Sequence, residues 1–107
     1  MKIVRQQHEL EGADLGGIGA SLIFVDVEPG RGPSLHTHDY EELLIVLEGR
    51  ATLRGTGDEE VVVGAGEIVV VPAGEPHGFF NSGDGPLRQI DVHLNPRFET
   101  DWLEGQG

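Results

Sequence analysis

The residues with the clearest chemical potential lie between positions 30 and 49, in G-R-G-P-S-L-H-T-H-D-Y-E-E-L-L-I-V-L-E-G. His36 and His38 are separated by one residue, and Glu42 follows the second histidine by four. In an extended strand, residues two apart point to the same face, so the two imidazoles aim together and Glu42 keeps their parity. Two imidazoles and a carboxylate meeting at one point make a site for a divalent transition metal. A fourth ligand is expected from a second patterned stretch, which offers His77. Three neutral imidazoles and one carboxylate suit Fe, Mn, Co, Ni or Zn, and with no cysteine in the chain thiolate ligation is excluded. Glu41 has the opposite parity and reads as solvent-facing or as a salt-bridge partner.

Two other polar groups stand near this set. Tyr40 shares the parity of the ligands and could bring a phenolic hydroxyl to the mouth of the site, although packing is the preferred reading. His93 shares a strand face with Gln89 and Asp91, while Ile90, Val92 and Leu94 form the other face. If the polar face looks inward, His93 can serve as a general base or as a hydrogen-bond donor behind a ligand. The outward or packing orientation is preferred. Phe24, Leu44, Val46, Phe79 and Ile90 are the candidates for an apolar pocket wall.

These side chains need a scaffold of short strands. The chain has 107 residues, enough for one core, and its 17 glycines and 6 prolines cut it into short segments that favour an all-β sandwich or barrel. Strands are expected at Ile3-Val4, over 20–28, at Leu43–Leu47, on both sides of a Gly55-Thr56-Gly57-Asp58 hairpin, at Ile68–Val71 and at Leu87–Leu94. Leu43–Leu47 and Ile68–Val71 are uninterrupted apolar runs, which read as strands buried on both faces. A small barrel has one interior, so a partner subunit is expected to cover the outward residues, giving a homodimer. Asn95-Pro96 reads as the start of a short C-terminal helix, with Phe98 and Trp102 on one of its faces. The formal charge of -12 disfavours nucleic acid and anionic membrane as partners. No apolar run resembles a secretory signal or a membrane span, so a cytoplasmic location is expected.

Two spaced patterns resemble the cupin superfamily. Gly30, five residues, His36-Thr-His38, three residues, Glu42, six residues and Gly49 reproduce its first motif. Gly66, five residues, Pro72-Ala-Gly74, two residues, His77, three residues and Asn81 reproduce the second. Together they meet roughly ten specified positions, which random composition does not produce. The resemblance implies a single cupin domain over residues 1–107, a jelly-roll-like double-stranded β-helix. It implies one divalent metal held by His36, His38, Glu42 and His77. An octahedral ion would keep two positions for water, substrate or dioxygen. Small cupins of this look include dioxygenases and isomerases, so the resemblance implies such chemistry on a small polar or carboxylate-bearing substrate. The alternatives are a cupin that uses its metal to bind or sense a small ligand without chemistry, and a storage or structural barrel. Asn81 reads as a turn residue bonding the backbone.

Overall fold

Burial along Glu42–Glu48 alternates, with Glu42, Leu44 and Val46 buried and Leu43 and Ile45 half-buried. That period of two is the signature of a strand with one face on a core. The computed structural model describes residues 1–105 and repeats this pattern through short strands. They are β1 (Glu9–Leu10), β2 (Ser21–Val27), β3 (His36–Thr37), β4 (Glu42–Glu48) and β5 (Arg50–Arg54). They continue with β6 (Glu60–Gly64), β7 (Ile68–Val71), β8 (Gly78–Asn81), β9 (Leu87–His93) and β10 (Asp101–Trp102).

All the strand pairings are antiparallel. A five-stranded sheet runs β1-β2-β9-β4-β7, a three-stranded sheet runs β6-β5-β8, and β10 pairs with β3 at the mouth between them. The core is built from both larger sheets. Val25, Leu44, Val46, Val71 and Leu87 come from the first, and Ala51, Val63 and Phe79 from the second. Packing two inner faces in this way is how a jelly roll hides the apolar half of each alternating strand. The β5–β6 hairpin closes around Gly55–Asp58 as its sequence predicts, with Arg54 opposite Glu60.

Two turn residues hold the frame in register. Gly49, between β4 and β5, has φ +86°, and a Cβ there would sit 2.3 Å from the Pro86 carbonyl oxygen. Only glycine fits both conditions. Asn81 is buried and bonds three backbone groups, donating Nδ2 to the Val27 and Gly85 carbonyls and accepting the Gly83 N–H.

The structure departs from the sequence reading in three places. Ile3-Val4 is not a strand; the first strand is Glu9–Leu10. The C-terminal helix is absent: residues 95–100 run without helix into β10, whose Trp102 lies opposite His36. Neither apolar run is buried on both faces within a single chain: Ile68 and Val70 are 58% and 66% exposed, while Leu43 and Ile45 on the central β4 are half-buried. Among the described residues no helix is long and apolar enough to cross a membrane.

Candidate metal centre

The two histidine-bearing stretches meet through the backbone. His36 and His77 form a reciprocal pair, each N–H donating to the other's carbonyl at 2.9 Å. Beside them, Glu42 of β4 lies opposite His93 of β9 and Val71 of β7. This register brings one potential ligand atom from each of His36, His38, Glu42 and His77 within 4.8 Å of the others, and all four side chains are buried.

The hydrogen bonds fix which nitrogens are free. His36 Nδ1–H donates to the Ser34 carbonyl at 2.7 Å, His38 Nδ1–H to the Glu99 carbonyl at 2.8 Å, and His77 Nδ1–H to the Glu75 carbonyl at 2.9 Å. Carbonyl oxygens only accept, so each neutral ring carries its proton on Nδ1 and leaves the Nε2 lone pair open. His38 Nε2 is buried with no hydrogen-bond partner. His77 Nε2 stands 2.9 Å, and His38 Nε2 3.4 Å, from Glu42 Oε1. Lone pairs facing a carboxylate oxygen repel unless a cation lies among them. The donor set therefore fits a divalent transition metal. Burial lowers His36 to a pKa of about 4, which keeps its ring neutral in ordinary buffers. Burial opposes the charge on Glu42, yet with no ion at the centre the His38, His77 and His93 rings can share protons with it, and these hydrogen bonds outweigh burial and hold this carboxyl below the usual range.

His93 has the opposite tautomer. Its Nε2–H donates to Glu42 Oε2 at 3.0 Å, and its Nδ1 accepts the Tyr40 hydroxyl at 2.7 Å. Tyr40 in turn accepts the Glu99 N–H at 3.1 Å. The polar face of β9 thus looks inward, and the outward orientation preferred for His93 is wrong. Sequence parity places Gln89, Asp91 and His93 together, but cannot say which face of a strand with an equally regular apolar opposite face is covered. Tyr40 packs as expected, and its hydroxyl also orients His93.

A cavity of about 240 Å3 opens beside the four converging residues. Leu44 and Phe79 line it as expected, joined by Ile23, Phe98 and Trp102. Phe24 and Ile90, expected in this wall, sit opposite each other on the outer face of the sheet, one residue out of parity with Val25 and Gln89. Val46 is core rather than pocket. Trp102 lies 5.0 Å from His36 and Phe98 5.0 Å from His93, ring centre to ring centre, so the C-terminal segment roofs the site.

Asp91 also lines the cavity, and sequence reasoning gives it no role. It is 4% exposed and accepts the Gln89 amide at 2.7 Å. Burial, reinforced by the charge of Glu42, raises its pKa well above the ordinary carboxylate value of 3.8. Between 3.8 and that raised value the folded chain keeps a proton that the unfolded chain releases, so stability falls as pH climbs through this window. An asparagine side chain at this position does not ionise and carries no such penalty. In metal-free protein, Asp91→Asn is expected to gain stability over the wild type as pH rises above 4, read as urea midpoints at several pH values. A constant difference across pH would contradict the assignment.

No curated protein matches the chain. A cupin-like protein from Thermotoga maritima has a similar structure, with TM-score 0.79 and 23% identity over 89% of this chain and 72% of that one. The oxalate decarboxylase of Lactobacillus farciminis, solved as a formate complex, superposes with TM-score 0.78 at 25% identity over 89% of this chain and 30% of the decarboxylase. Oxalate oxidase in complex with the substrate analogue glycolate gives TM-score 0.77 at 26% identity over 89% of this chain and 53% of the oxidase. The chain therefore spans only part of these two enzymes. The family described as Cupin domain matches residues 23–93, a span that holds all four converging side chains and the strands that carry them. On that match, with the jelly-roll sheets to support it, the chain belongs to the cupin family.

Proposed function

We propose that this protein is a metal-dependent enzyme acting on a small polar organic molecule, with dioxygenase- or isomerase-like chemistry. His36, His38, Glu42 and His77 hold the metal. The observation that carries the reading is the convergence of one ligand atom from each of three histidines and a carboxylate, all within 4.8 Å of one another, at the wall of a cavity. A divalent ion of this kind supplies Lewis acidity, and the redox-active ones also supply dioxygen chemistry. The chain's own residues do the rest. His93 holds a proton against Glu42 Oε2 and fixes the carboxylate, while Phe98 and Trp102 keep bulk water from the site. Two of the structural relatives at 25% identity or above are enzymes, an oxalate decarboxylase and an oxalate oxidase, which supports the catalytic reading. A second reading, ligand binding without chemistry, draws support from His93, both of whose ring nitrogens are already engaged. Protein reconstituted with Fe, Mn, Co, Ni or Zn should convert at least one member of a panel of small polar compounds, followed by proton NMR and oxygen uptake. Saturable binding with no product from any metal form would favour the second reading.

We further propose a homodimer joined through the outer face of the five-stranded sheet. Cross-strand register builds two apolar ladders there, Leu22–Val92–Leu43–Val70 and Phe24–Ile90–Ile45–Ile68. A ladder of Asp26, Arg88 and Glu48 supplies a charged margin at one side. A self-complementary apolar face with a polar rim suits a two-fold interface. Val70→Lys is expected to turn a dimer into a folded monomer by sedimentation velocity. A wild type that sediments as a monomer at high concentration would remove this proposal.

A further inference from the structure

The cavity at the metal centre has a second chamber. The inner space of about 240 Å3 adjoins one of about 410 Å3 whose walls include the exposed His8 and Arg31. Both are lined by Glu9, Ile23, Pro33, Phe79 and Asp91. Asp91 is the buried polar group at this junction. It lies opposite Ile23 on β2 and Leu44 on β4, so apolar side chains flank it on both neighbouring strands. One carboxyl oxygen takes the Gln89 amide, and among the described residues no other group bonds its side chain. The other carboxyl oxygen of this buried residue has no protein partner and borders space large enough for an organic molecule, which suits it to bond a ligand or water.

Charge narrows the ligand class. No lysine or arginine lines the inner chamber, and the outer chamber has only Arg31. An anionic group held away from the metal would lie among Asp91, Glu42 and Glu9 with no buried cation to offset its desolvation. An ammonium group would have to be buried with Asp91 as an ion pair among Ile23, Leu44 and Phe79, where desolvation of both charges offsets their attraction. A hydroxyl or amide can donate to a carboxyl oxygen and accept from a carboxyl O–H, so it satisfies Asp91 in either state. We propose that the two chambers hold an uncharged organic substrate whose hydroxyl or amide group hydrogen-bonds Asp91 while its other end meets the four converging residues. This rests on the metal-site reading above and narrows its substrate, setting the cavity apart from one built for a small dicarboxylate.

The test uses benzohydroxamic acids, whose hydroxamate head chelates transition metals, with 4-methyl, 4-hydroxymethyl, 4-aminomethyl or 4-carboxy tails. Binding to zinc-loaded protein is measured by calorimetry, after metal content is established by elemental analysis. The 4-hydroxymethyl compound is expected to bind about tenfold tighter than the 4-carboxy and 4-aminomethyl compounds, and several-fold tighter than the 4-methyl compound. Asp91→Leu should erase the advantage of hydroxymethyl over methyl, while Asp91→Asn, which keeps a polar group and the shape, should retain it. Equal or tighter binding of the carboxylate or amine tail by the wild type overturns the proposal whatever the variants do. Loaded protein that binds none of the four compounds also overturns it. Protein that takes up no metal refutes the metal-site reading itself, and this proposal with it.

Discussion

Protein carrying His36→Ala and His77→Ala is expected to lose its bound transition metal, where the wild type retains about one equivalent per chain. The expectation follows from the ring tautomers. His36 and His77 both spend their Nδ1 protons on backbone carbonyls, so each has a single lone pair to give, and both residues offer a ligand atom within 4.8 Å of those of His38 and Glu42. Removing both leaves His38 and Glu42, a two-ligand remnant. A ligand that binds only the folded state stabilises it by about 4 kcal/mol when present at a thousand times its dissociation constant. Thermal unfolding with and without a strong chelator should therefore separate by several degrees in the wild type and coincide in the double variant. The rival account treats His77 and Glu42, 2.9 Å apart, as a buried ion pair that needs no metal. On that account the chelator leaves the wild type unchanged, and the double variant alone is destabilised. The two accounts differ in what the chelator does, so one pair of melting curves chooses between them.

Much of this centre was legible in the sequence because spacing carries it. One residue between His36 and His38 gives them a shared parity on an extended chain, but bends at Asp39 and Tyr40 and a change of sheet separate them from Glu42 on β4, so Glu42 was legible through its motif spacing and not through parity. The hairpin at Gly55–Asp58 was legible for a related reason, since glycine-rich turns are local. What failed were statements that depend on which neighbour covers a face. Phe24 and Ile90 alternate as correctly as Ile23 and Gln89 do, but alternation does not say which alternate looks inward. On β9 the inward set is Gln89, Asp91 and His93, so the polar residues are the buried ones, an inversion that only the cavity explains. The C-terminal error has another origin. Phe98 and Trp102 are four apart, and four is an even number as well as about one helical turn, so the pair shares a face in a strand and in a helix alike. Asn95-Pro96 tipped the reading toward helix. The backbone bonds of β10 to β3 and the contact of Trp102 with His36 decide for the strand. Both are long-range and leave no local trace.

Replacing His93 by alanine is expected to weaken metal binding by about 10- to 100-fold without removing any of the four converging residues. His93 Nε2–H holds Glu42 Oε2 at 3.0 Å, while Glu42 Oε1 faces His38 and His77. The two oxygens are thus assigned different tasks, and without His93 the carboxylate is free to rotate and its second oxygen is buried unpaired. Tyr40 extends the same chain. Burial pushes its hydroxyl up to a pKa of about 12, so it stays protonated and donates to His93 Nδ1 across the working pH range. Tyr40→Phe removes the hydroxyl that donates to His93 Nδ1 and accepts the Glu99 N–H, neither of which is a metal-holding group, and its effect should be smaller, a few-fold in affinity. The order His93→Ala, then Tyr40→Phe, then wild type distinguishes an orienting chain from simple packing, which would place the loss of a buried phenol hydroxyl at nearly nothing for metal. Affinities come from competition against a chelator of known strength, with urea unfolding of the metal-free forms as the control. A variant such as His93→Gln, which can still donate to the carboxylate, should recover part of the affinity. If His93→Ala bound metal as tightly as the wild type, Glu42 would be oriented by the metal alone, and His93 would be a packing residue that happens to touch it.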